Sequence, residues 1–255
     1  MFLVIFSSLL GSLISLIGGI ILISHKKFVQ WTEFLTAFAG GSLLAAAFID
    51  LLPEALHEGG DMNLVSGWTL FGLLLFFVFE AVLAAFCGKK CDHQHHRHLI
   101  EENVKVSMIV IGDTVHNFID GVAIAAGFLI SPLSGIIATI AVATHEIPQE
   151  IGEFALLFKK NIHRRKIVLI NLVSSFAATI GAIIFYWLGK ETNISLTPIL
   201  GLVAGFFIYL AISDIIPMIN SENDNLKRIK KTLILIIGVL IAAWLINFLQ
   251  SWASI

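Results

Sequence analysis

Two short stretches hold the residues best suited to binding a metal in this 255-residue chain. In the first, His116, Asn117 and Asp120 present an imidazole, an amide and a carboxylate, with Asp113 just before them. In the second, His145, Glu146, Gln149 and Glu150 do the same, with Glu153 beyond. Residues three or four apart share a helix face, so each stretch reads as one polar stripe. Imidazole suits Zn, Fe, Ni and Cu, and carboxylate and carbonyl oxygens widen the range toward Mn. No thiolate stands among these donors. A mixed set of this kind favours a site from which an ion can leave again, as passage requires.

The elements that must position these stripes are apolar. Hydrophobic residues make up 57% of the chain and charged residues 13%, and the mean hydropathy is +0.91. That composition excludes an ordinary soluble domain and predicts an all-α integral membrane protein. A helix needs about 20 largely apolar residues to cross the hydrocarbon. Eight stretches qualify, near 2–24, 31–56, 66–87, 105–129, 133–158, 165–189, 196–218 and 232–252. The two stripes fall in the fourth and fifth. Ionisable groups at bilayer depth are costly and face a protein interior or a water-filled path, so the stripes are expected to face each other as one central metal site. Pro148, inside the fifth span, denies that helix one N–H and frees the carbonyl of Thr144 beside the site.

Charge placement orients the spans. Of the 16 Lys and Arg, all but Lys190 lie in the segments after spans one, three, five and seven. The positive-inside rule makes that side cytoplasmic and both termini extracytoplasmic. The whole chain, 1–255, reads as a single transmembrane domain in a plasma membrane. Its longest connection, 88–104, reads as a cytoplasmic His-rich loop. Cys87, Cys91, His93, His95, His96 and His98 are candidate metal ligands there by composition, and their spacing is not that of a folded zinc finger.

Internal repetition supports a transport role. Gly41, Asp50 and Pro53 recur as Gly205, Asp214 and Pro217 at identical spacing, and His116, Asn117 and Asp120 align with His145, Glu146 and Gln149. With the orientation above, both pairs run in opposite directions. Inverted repeats with binding residues near the midplane are the readable mark of a secondary transporter.

The motifs Asp113-Thr-Val-His116-Asn-Phe-Ile-Asp120-Gly121 and His145-Glu-Ile-Pro-Gln-Glu150 resemble the signatures of the ZIP (Zrt/Irt-like) family of divalent metal transporters. The resemblance implies a binuclear site. His116, Asp120, His145 and Gln149 match one metal position, and Asn117, Glu146 and Gln149 the other. Gln149 departs from the pattern, since many members carry histidine there and some glutamate. The implied substrate is Zn2+, as one ion or two, with iron, manganese or cadmium as further candidates.

Asp113, Glu150 and Glu153 fall on the cytoplasmic side of the paired histidines and form a candidate exit path, Glu153 roughly 12 Å beyond His145 along a helix. Asp50 and Asp214 occupy equivalent places at the outer and inner mouths. The expected partners are divalent metal ions and the lipid bilayer, with a homodimer as the expected assembly and no nucleic acid. Two other functions compete. His145-Glu146 begins like the His-Glu-x-x-His motif of an intramembrane metal-dependent hydrolase, but position 149 is glutamine. A proton-coupled carrier of a small organic solute would not need so many metal donors.

Overall fold

The computed structural model describes residues 1–23, 31–88, 97–159, 162–192 and 195–253, and contains helices and no strand among them. The helices are α1 (Phe2–Ile23), α2 (Thr32–His57), α3 (Met62–Gly88), α4 (Arg97–Ile130), α5 (Pro132–Lys159), α6 (Arg164–Thr192), α7 (Thr197–Asn220) and α8 (Asn225–Ala253). Of these, α2, α3, α6, α7 and α8 are long and apolar enough to cross a membrane by length and composition.

Local chemistry sets where several helices start. Asp61 accepts the backbone N–H of Leu64 at 2.6 Å and caps α3. Ser131 accepts that of Ser134 at 2.9 Å before Pro132 opens α5. Asp224 accepts that of Leu226 at 2.9 Å at the head of α8. The turn between α2 and α3 needs a left-handed residue, and Gly59 supplies it at φ 93°. α4 begins at Arg97, so positions 97–104 of the expected 88–104 loop are helical.

Packing rests on small residues, as is usual where lipid removes the hydrophobic drive between helices. A side chain at Gly41 of α2 would strike the Leu235 carbonyl of α8, and one at Gly205 of α7 would strike the Thr69 carbonyl of α3. Gly121 of α4 lies against the Ala178 carbonyl of α6, and Gly181 of α6 against the Phe118 carbonyl of α4. α1 packs on α5 and α6. Both α2 and α7 widen into a π-helical turn, over Ala46–Leu51 and Ala211–Ile215, just ahead of Pro53 and Pro217. Asp50 and Asp214 sit in those two turns. Such turns bulge a helix and concentrate at functional positions.

Candidate metal centre

The one-turn spacing on α4 puts Asp113, His116, Asn117 and Asp120 on its buried side, and α5 buries His145, Glu146 and Glu150. Single ligand atoms of His116, Asp120 and His145 lie within 4.8 Å of one another, a grouping that could hold a metal ion. Asp120 is the hinge of the group. Its Oδ2 stands 3.4 Å from His116 Nε2 and 3.3 Å from His145 Nε2, and it is fully buried.

The ring of His145 is oriented by its own helix. The Ala141 carbonyl lies 3.0 Å from Nδ1 and suits an N–H there. In that tautomer Nε2 is a lone pair aimed at a carboxylate oxygen. Two acceptors facing each other in a dry interior call for a cation or a proton between them. A histidine held through its other nitrogen by a carbonyl is also the usual arrangement of a metal ligand. Several further buried atoms lack a hydrogen-bond partner among the described residues: His116 Nδ1, Asn117 Oδ1, Asp120 Oδ1 and Glu146 Oε1.

The remaining expected residues spread around this core. Asn117 donates through Nδ2 to the Asp113 carbonyl and Asp113 Oδ1, both at 3.0 Å, which leaves its oxygen as the available ligand. The same nitrogen lies 3.4 Å from Ser174 Oγ of α6. Glu146 reaches toward α1, where a Cβ on Gly11 would lie 3.8 Å from its Oε2. Gln149 is half-buried one turn past His145. Glu150 accepts from Ser175 Oγ at 3.5 Å. Asn171 is buried on α6, with its amide donated to the Ile167 carbonyl.

Asp50 lines a cavity of about 340 Å³ together with Glu54, His57 and Gln250, and Gln250 Nε2 donates to Asp50 Oδ1 at 3.3 Å. The backbones of Glu153 and Asp214 belong to α5 and α7, that of Cys87 to the end of α3 and that of His98 to the start of α4; their side chains lie outside the described set. Cys91, His93, His95 and His96 lie outside the described residues.

Sequence reasoning missed the aromatic wall of the site. Phe207 of α7 stands 5.0 Å from the His145 ring and 6.2 Å from the His116 ring, and Phe206 stands 5.4 Å from His116, all between centroids. It missed Gln250 too. The one available signal was that Phe206 and Phe207 directly follow the repeated glycine.

The site is thus a buried imidazole–carboxylate–imidazole group among apolar helices. A family model described as "ZIP Zinc transporter" matches residues 1–103 and 89–246. The chain belongs to the ZIP zinc transporter family. It is 28% identical over 225 residues to the zinc transporter YKE4 of Saccharomyces cerevisiae, covering 78% of this chain and 65% of that one. It is 28% identical over 253 residues to mouse zinc transporter ZIP13, covering 85% and 70%. Against human zinc transporter ZIP10 it is 39% identical over 119 residues, which are 46% of this chain and 14% of that one. The chain thus spans about two thirds of the first two relatives and a small part of the third. ZIP membership and the apolar helices together make this a multi-pass membrane protein. A family of transporters, and not of hydrolases, is where its sequence belongs.

Proposed function

We propose that this ZIP protein carries zinc across a membrane toward the cytoplasm, by alternating access through the cage formed by His116, Asp120 and His145. The observation that carries the reading is the approach of His145 Nε2 and His116 Nε2 to one carboxylate oxygen, Asp120 Oδ2, at 3.3 and 3.4 Å in full burial. Asn117, Glu146 and Gln149 offer oxygens for a second ion beside the first. Iron, manganese and cadmium fit the same donors less selectively.

All eight helices span the membrane in this reading, with the basic segments inside and both termini outside in a plasma membrane. The two π-helical turns at Asp50 and Asp214 support an inverted repeat, as do the matched glycine contacts of Gly41 on α8 and Gly205 on α3. α2, α3, α7 and α8 form a scaffold. α1, α4, α5 and α6 carry the cage past it. Asp113, Glu150 and Glu153 pass the ion inward, Asp214 releases it, and the His-rich segment between α3 and α4 receives it. The exposed apolar faces of α3 and α8 meet lipid or a second copy of the chain.

Gln149 is the natural selectivity position, because an amide oxygen is a weaker ligand than imidazole or carboxylate. In proteoliposomes, metal competition for uptake should rank the ions differently in Gln149→His, with zinc moving up. An unchanged ranking would remove Gln149 from that role. The cavity at Asp50 reads as the outer vestibule, where focused negative charge raises local cation concentration. Asp50→Asn should raise the apparent KM for zinc by about threefold or more, with a smaller change in maximal rate. An unaltered KM would show that Asp50 does not collect the ion.

A further inference from the structure

Phe206 and Phe207 are 3% and 2% exposed, and they meet both cage histidines. They are also fixed to the scaffold. Gly205, beside them, brings the α7 backbone against the Thr69 carbonyl of α3, and the Phe206 ring lies 3.9 Å from that of Phe76 on α3. The pair therefore stands on α3–α7, while the histidines it touches stand on α4 and α5.

The outer cavity ends above this contact. Its lining includes Ala123, Ala138 and Leu200. Each lies seven residues along its own helix from His116, His145 and Phe207 respectively, or roughly 10 Å at helical rise. The cage is thus bounded on its α7 side by aromatic rings, and the cavity, lined elsewhere by Asp50, Glu54, His57 and Gln250, is bounded by small and aliphatic side chains where it comes nearest the cage. A surface of rings offers an ion no ligand and water no hydrogen bond, and apolar constrictions block ions by dewetting. Ring contacts of this kind are worth only about 0.5–1.5 kcal/mol each, so a histidine can slide off one at little cost. A hydrogen-bonded wall would hold the cage in place.

We propose that Phe206 and Phe207 form a dry aromatic seal, carried on α7 and braced against α3 through Phe76, that keeps ions from passing between the cavity and the cytoplasm while the cage moves across it. This rests on the transport reading above. It assigns the two phenylalanines a role in ion exclusion beyond packing.

The test uses purified full-length protein in liposomes with a trapped calcium indicator and calcium outside. Calcium is a hard cation that prefers an all-oxygen shell, so a His-containing cage disfavours it. Phe207→Ala should admit calcium about fivefold faster than wild type or more, whereas Phe207→Leu keeps apolar bulk and should stay tight. Phe207→Val, with intermediate bulk, should leak to an intermediate degree and serves if the alanine variant does not fold. Folded Phe207→Ala or Phe207→Val protein that excludes calcium as wild type does would overturn the seal. Zinc uptake, measured on the same vesicles, separates the two ideas. Wild-type protein that moves no zinc sinks the transport reading, whereas zinc uptake with leak-free variants sinks the seal alone.

Discussion

Asp120→Asn should reduce zinc uptake in proteoliposomes by about 100-fold or more, while the protein remains folded. Losing even a residue that only supports a ligand typically costs 10–100-fold in metal affinity or activity, and Asp120 sits between both histidines at 3.4 and 3.3 Å. Stability should move the other way. A fully buried carboxylate whose Oδ1 has no hydrogen bond among the described residues is a cost to the fold, and an isosteric neutral amide relieves it. Without zinc, Asp120→Asn in detergent should therefore melt at or above the wild-type temperature. Added zinc should stabilise wild type, by about 2.7 kcal/mol at a hundred times its Kd, and leave the variant nearly unmoved. A variant that melts far below wild type and is still stabilised by zinc would show Asp120 to be a structural residue.

Gly121→Val should prevent recovery of folded protein. The added side chain would meet the Ala178 carbonyl, a backbone atom that cannot rotate aside, and the reciprocal contact of Gly181 on Phe118 closes the same crossing from the other helix. Overpacking a core costs about 1–3 kcal/mol where side chains can yield, and here α4 and α6 themselves would have to part. Asp120 is next in sequence, so any separation also dislocates the cage. Size-exclusion chromatography should show aggregate or no protein. Gly112, on the same helix, has nothing among the described residues within 4 Å of a Cβ. Gly112→Ala should be tolerated and gain up to about 1 kcal/mol from helix propensity. A well-behaved Gly121→Val protein would mean that the α4–α6 crossing is looser than described.

Much of this was legible in the sequence because membrane helices obey few rules. Apolar runs predicted helix bounds within a few residues at most ends. The main shifts occur where charged or capped turns extend a helix beyond its apolar run. The start of α8 at Asn225 precedes the apolar run because Asp224 caps it, so Lys227, Arg228 and Lys230 belong to its first turns. Lys231 reads as one more loop cation, yet it is buried between Glu33 and Glu222, at 2.7 Å from each. Histidines and acids inside apolar runs announced the site, because burial of such groups is too costly without use. Ring contacts of Phe206 and Phe207 had no comparable signal, since an apolar residue in an apolar helix looks the same whichever way it faces. Gln250 was hidden by distance, as its partner Asp50 lies 200 positions away. For Asn117, residue type alone could not show that its amide nitrogen is occupied by Asp113 and only its oxygen remains.

In the proposed route, zinc crosses the membrane through the His116–Asp120–His145 cage. This route is tested most directly by radiolabelled zinc uptake into proteoliposomes, comparing wild type with His116→Ala/His145→Ala at equal reconstituted protein. Wild type is predicted to show saturable uptake, and the double variant uptake no greater than protein-free liposomes. Equal uptake by the two proteins, or none by wild type, would contradict it.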